Sequence, residues 1–264
     1  MCEGGSVRLQ TLDRGLALLE WVASHPGNAT VRQVAAALGI NMTTCYHLVD
    51  TLIARGYLVR VGHGQLRVGT ALMGLSNEFV EQARPVALLS PVVEDLLERS
   101  RESVFLAIWD GEDVILLLFQ EGPQHLTVSG FSPGFRGYAH ARCSGKAILA
   151  FLPREELDRY FATHDLVART PRSITDEVEL RRQLFEIRER GWASETEEFT
   201  VGICSLGAPF FGADGRVLGA LSLALPAARY EEAVDRCHKA VVGAAERASR
   251  IMGYVGHYPP KAQA

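Results

Sequence analysis

The stretch from Thr30 to Gly56 constrains this chain more than any other, because it writes two helix starts and two helix stops into one short span. Thr30 precedes Val31, Arg32 and Gln33, a T-x-x-Q pattern in which each side chain satisfies the other residue's exposed backbone donor. A short helix is therefore expected from Val31, carrying Val34, Ala35 and Leu38 inward and stopping at Gly39, the residue type best able to turn left-handed. Asn41 caps a third helix over about residues 42–54, with Cys45, Leu48, Val49 and Leu52 on one face and Thr43, Thr44, Tyr46, His47 and Asp50 on others. Upstream, Leu12, Leu16, Leu19 and Val22 fall at helical spacing, and His25-Pro26-Gly27-Asn28 closes that helix. Downstream, YLVR and QLRV flank a glycine-rich VGHG tip, which reads as a small hairpin. Three helices and a hairpin describe a winged helix-turn-helix.

Residues 70–83 show one more helical stripe, with Leu72, Leu75, Phe79 and Val80 on one side, ending before Pro85. This is read as a linker helix. Pro91 suits the first turn of a helix running to about Ser100, and the pattern then changes to paired apolar runs around Asp110-Gly111-Glu112-Asp113. Further strands are expected over 126–130, 193–195, 203–211 and 217–225, and helices over 145–151, 154–161, 176–190 and 230–252. Strands and helices mix without βαβ regularity, so the expectation is α+β, an antiparallel sheet flanked by helices. The domain reading is 1–69 for the winged helix-turn-helix, 70–84 for the linker helix, 85–258 for a second domain and 259–264 for a loose tail, looseness beginning near His257.

Charge bears on what the first domain touches. The whole chain carries a net −4, yet residues 1–69 hold six arginines against four acids, +2, leaving −6 for the remainder. The asymmetry has the sign expected of a nucleic-acid-binding head. No apolar run is long enough to span a bilayer and no signal core opens the chain, so a cytoplasmic location without membrane contact is the default. The five cysteines are scattered and never form a C-x-x-C pair, which argues against a disulfide framework or zinc ribbon. No cofactor motif is present.

A recognition helix presents short polar side chains from its first turns to base edges. Asn41, Met42, Thr43, Thr44, Tyr46 and His47 occupy those positions, and Arg60 and Arg67 in the wing strands are placed to grip flanking phosphates. The partner is then an operator in double-stranded DNA.

Several segments, in order, resemble the IclR-type transcriptional regulators. They are LDRGLALLEWVA, VRQVAAALGINMTTCYHLVDTL, RGYLVR, LRVGTALMGLS, AHARCSGKAILA, RERGWASETEEFTVGICSLGAPFF and DGRVLGALSLALP. The resemblance implies a winged helix-turn-helix, a linker helix serving as dimer element, a GAF-like effector domain, and a homodimer or homotetramer on DNA. Its departure in the reading helix is His47, where relatives usually carry arginine.

The resemblance also implies an effector pocket between the sheet and the HARCSGK loop, formed by Cys143, Ser144, Glu195, Ile203, Ser205, Ser222 and Ala224. Ser144-Gly145 would open a helix whose free amides favour an anion. Relatives binding small keto acids place aspartate at Glu195 and serine at Ala224, so this pocket is less polar, which points to a larger or more aromatic carboxylic ligand. Phe131, Phe135, Tyr138 and Arg142 lie close by in sequence.

Plainer readings stand beside these. Ser205 and Ser222 also suit a small-residue sheet face, and the run Glu195, Glu197, Glu198 also reads as a solvated face. Lys146 is expected to neutralise nearby acids. Cys143 near His140 leaves a cysteine-dependent enzyme as an alternative, although no orienting third group is identifiable, and a sensor that has lost DNA binding is another. His125, His140, Cys143 and His164 show no metal-ligand spacing.

Overall fold

In a computed structural model of the chain, the described residues are 9–27, 29–75, 84–123 and 131–260. The chain divides into two compact units, Met1–Ala83 and Arg84–Ala264.

In the first unit, α1 (Gln10–Ser24), α2 (Val31–Leu38) and α3 (Met42–Ala54) precede a hairpin of β1 (Leu58–Val61) and β2 (Gln65–Val68). The capping box forms: the Gln33 amide donates to Thr30 Oγ1 and the Thr30 amide to Gln33 Oε1 at 3.0 Å. Gly39 closes α2 in the left-handed region, φ 62°. Leu18, Val22, Val34, Cys45, Val49, Leu58 and Leu66 meet in one core, so a single apolar cluster fixes α3 against the wing. Residues 71–75 are helical; the remainder of the expected linker helix lies outside the described residues, as does the strand expected at 126–130.

The second unit is built on a wholly antiparallel five-stranded sheet in the order β4-β3-β7-β6-β5, with β3 Ser103–Trp109, β4 Val114–Gln120, β5 Ala193–Thr196, β6 Ile203–Phe211 and β7 Val217–Pro226. β6 and β7 are buried at nearly every position, so both faces of the sheet are covered. The cover comes from α4 (Arg84–Ser100), α5 (Cys143–Leu149), α6 (Arg154–Thr163), α7 (Glu177–Arg190) and α8 (Tyr230–Ile251).

Three expectations fail. α4 starts at Arg84, so Pro85 takes the first-turn position and Pro91 sits inside the helix. Pro91 gives up one backbone bond, but Val86, Leu89, Val92, Val93 and Leu96 are buried along the same helix, and that continuous apolar face outweighs the lost bond. α5 begins two residues before the expected start, which moves Cys143 and Ser144 from a loop into a helix's first turn. Residues 257–260 are not loose: Tyr258 donates its hydroxyl to the Pro209 carbonyl at 2.8 Å and packs edge-on to Phe211.

Candidate functional site

The reading helix is positioned by its cap. Asn41 Oδ1 accepts the Thr44 amide at 2.8 Å, while Cys45, Leu48 and Val49 anchor the opposite face in the core. Met42, Thr43, Tyr46 and His47 are consequently exposed and Thr44 is half-buried. Arg60 and Arg67 are exposed on the wing. Arg60 is held toward α3, its Nη2 3.0 Å from Asp50 Oδ1 and its guanidinium 5.8 Å from the centre of the Tyr46 ring. An exposed pair of this kind is worth at most about 1 kcal/mol, so a phosphate can displace Asp50.

In the second unit, strand register assembles a cavity. Glu195 lies opposite Ser205, which lies opposite Ala224; one row along, Gly207 lies opposite Ser222, which lies opposite Phe105. Positions two apart share a face, so both rows look the same way, toward α5. Cys143, Ser144, Glu195, Ile203, Ser205, Ser222 and Ala224 all line one cavity, together with Phe105, Phe131, Arg142, Phe199 and Thr200. Of these last five, Arg142 belongs to HARCSGK and Phe131 lies near it in sequence. Phe105, Phe199 and Thr200 carried no sequence signal, because their place depends on the pairing of distant strands and on a loop.

The free volume is about 30 Å³, room for no more than a few water molecules. Aromatic rings close the space: Phe131 lies 5.0 Å from Phe135 and 5.2 Å from Phe199, and Arg169 stacks 4.2 Å from the Phe199 ring centre. An aromatic acid therefore fits only if these rings move.

The acidic run is not a solvated face. Glu195 and Glu198 are 4% and 8% exposed, and Lys146 is fully buried. Lys146 Nζ donates to both Glu198 oxygens, at 2.6 and 2.5 Å, and to Gln183 Oε1 at 2.9 Å. Glu195 accepts from Ser205 Oγ at 2.6 Å and from the Glu198 amide at 2.8 Å. Buried cation and buried carboxylates explain each other, and the cavity wall hangs on them.

Burial raises the Glu195 carboxyl from 4.5 to about 7. Between those values the folded chain keeps a proton that the unfolded chain has lost, so stability falls as pH rises through that window. Urea unfolding should show this decline between about pH 5 and 7, and Glu195→Gln should flatten it; an unchanged slope in the variant would assign the dependence elsewhere.

Cys143 is not an activated nucleophile. Burial pushes its thiol up to about 12, and His140 Nε2 is engaged by the Val167 carbonyl at 3.1 Å. His164 Nδ1 sits 3.1 Å from the Tyr160 carbonyl, and His125 lies outside the described residues. Among the described residues no group of three or more His, Cys, Asp or Glu is placed to hold a metal ion, and no helix is long and apolar enough to cross a membrane.

Two family profiles match the chain: the IclR helix-turn-helix domain over residues 11–62 and the bacterial transcriptional regulator IclR C-terminal domain over residues 79–250. The transcriptional repressor IclR of Escherichia coli (strain K12) is 28% identical over 249 residues, covering 93% of this chain and 91% of that protein. The HTH-type transcriptional regulator BhcR of Paracoccus denitrificans (strain Pd 1222) is 32% identical over 257 residues, covering 94% and 88%. The crystal structure of the Thermotoga maritima IclR aligns with a TM-score of 0.79 at 26% identity, covering 94% of this chain and 100% of that one. These relatives are named as repressors and regulators, not enzymes. With both of its units matched, this chain belongs to the IclR family of bacterial DNA-binding transcriptional regulators.

Proposed function

We propose that the protein reads an operator through the start of α3, using Asn41, Met42, Thr43, Thr44, Tyr46 and His47, with Arg60 and Arg67 on flanking phosphates. A small organic effector, carboxylic or aromatic, would occupy the cavity beside α5 and control that binding from the cytoplasm. The observation that carries the reading is the capped α3, whose anchored face leaves Met42, Thr43, Tyr46 and His47 of its first turns outward. A histidine at position 47 gives a weaker phosphate contact than arginine, because an imidazole is shorter and lacks the guanidinium's planar fork of donors.

A homodimer, or a tetramer of two such dimers, supplies what one weakly basic head lacks, since two heads read two half-sites. An apolar groove supports this arrangement. It is lined by Leu12, Leu16 and Leu19 of α1, Leu48 and Leu52 of α3, and Leu72 and Leu75, with Leu12 60% exposed. Contiguous exposed leucines on a small unit mark an interaction face. Effector and DNA are then coupled if the effector binds two arrangements of the heads with different affinity.

The test is fluorescence anisotropy on the protein's own upstream DNA against scrambled DNA across a salt series. Thr44→Ala should lower specific affinity about five- to tenfold and narrow the preference for upstream DNA. Arg60→Ala should weaken both DNAs alike and reduce the salt slope by about one. Equal binding of both DNAs by the wild type, with and without candidate effectors, would sink the reading.

A further inference from the structure

We propose that Arg142 receives the carboxylate of the effector and restricts the cavity to ligands with one carboxylate on a flat apolar body; this rests on the cavity being the effector site. Arg142 lines the cavity and is only 3% exposed. Its Nη2 donates to the Val114 carbonyl at 2.8 Å, but its Nε and Nη1, both buried, have no acceptor among the described residues. Buried guanidinium donors are rarely left unmade. Nε and Nη1 point to different edges, but each shares its edge with Nη2, which keeps a second N–H besides the one given to Val114, so a carboxylate can be held by two parallel bonds along one edge.

The described residues around it do not supply that acceptor. The guanidinium lies 5.6 Å from the ring centre of Phe131 and 5.3 Å from that of Phe135. Ring faces attract the cation but accept nothing from N–H bonds that lie in the guanidinium plane. Asp113, whose charge favours the protonated form, already accepts the Val114 amide at 2.6 Å and the Gly137 amide at 2.7 Å. Burial lowers the Arg142 guanidinium to about 10, so it remains a cation at neutral pH.

Charge elsewhere in the wall sets the number of carboxylates. Lys146 is occupied by Glu198 and Gln183 and does not line the cavity. The carboxyl group that does line it is Glu195, an acid whose oxygens already accept from Ser205 and the Glu198 amide. A second ligand carboxylate would meet that acid without a cation to offset it. Much of the remaining wall, with Phe105, Phe131, Phe199, Ile203 and Ala224, is apolar, beside the small hydroxyl residues Ser144, Thr200, Ser205 and Ser222, and an aromatic ring can replace a phenylalanine ring over the Arg142 face as the cover lifts.

Calorimetry of the full chain with benzoate, benzamide and phthalate tests this directly. The wild type should bind benzoate saturably, and benzamide and phthalate at least about tenfold more weakly. Arg142→Met should lose at least about tenfold toward benzoate and leave benzamide unchanged, while Arg142→Lys should recover part of the loss. No saturable benzoate binding up to its solubility, or equal binding of benzoate, benzamide and phthalate, overturns the proposal without needing any variant to fold. Ser222→Leu, which fills the cavity, separates the two claims. If it abolishes benzoate binding while Arg142→Met does not, the cavity stands and Arg142 falls. If benzoate binds and neither variant matters, the cavity reading itself fails.

Discussion

Lys146→Met should lower the unfolding free energy by about 3–5 kcal/mol, measured by urea denaturation at neutral pH. The ammonium is fully buried on α5, and it faces a carboxylate, Glu198, that is itself 8% exposed. Methionine fills much of the same volume, so the cost is not a cavity. It is the charge left behind on Glu198, together with the lost bond to Gln183. The size of the effect should depend on pH. Burial already raises the Glu198 carboxyl despite Lys146, and removing the lysine raises it further. Above neutral pH the variant must bury a bare carboxylate and the loss is largest. Below about pH 4, where glutamate is protonated in the unfolded chain too, the loss should shrink toward the cost of the bonds alone. Adding Glu198→Gln should restore much of the stability at neutral pH, because breaking a buried pair costs more than replacing it. A single-variant loss below about 1 kcal/mol would mean that Glu198 reaches solvent when unpaired. The same change should weaken effector binding, since the Glu198 amide holds Glu195 in the cavity wall.

The first unit was legible in the sequence because what defines it is local. Thr30 with Gln33, Gly39, and Asn41 with Thr44 each act over three or four residues, and the structure shows each in place. The strands of the second unit were legible as strands, but their order was not. β3 pairs with β7 across more than a hundred residues of chain, and that pairing alone sets Phe105 beside Ser222. The seven expected pocket residues were placed by resemblance, which carries register implicitly; composition and periodicity would not have gathered them. The acidic run misled for a related reason. A cluster of glutamates is ordinarily solvated, and only a lysine about fifty residues away, brought over by α5, makes burial of Glu198 affordable. Pro91 misled through a positional preference that a long buried helix face overrides.

Gly145→Ala should cost about 3 kcal/mol or more, which thermal unfolding will report as a large drop in Tm. A Cβ on Gly145 would stand 2.5 Å from Ala139 Cα, 2.6 Å from its carbonyl carbon, and closer still to its carbonyl oxygen. These are backbone atoms, so no side-chain rotation relieves the clash. Retreat toward the sheet is closed as well, because a Cβ on Gly207 would come 3.1 Å from the Cys143 carbonyl carbon, the measure of how tightly α5 lies on β6. The helix must therefore lift or turn, and Cys143 and Ser144 move with it, so the variant should lose effector binding along with stability. Gly243→Ala, inside α8 of the same unit, is the matched control: its Cβ would meet only a flexible Arg247 guanidinium atom at 3.8 Å. There alanine should stabilise by about 0.5–1 kcal/mol through helix propensity and a less free unfolded chain. Opposite signs for one substitution at two glycines would establish that close approach, not glycine's flexibility, is what position 145 needs. If both variants were stabilised, α5 would have room to move, and the small cavity beside it could open by shifting the helix instead of its aromatic cover.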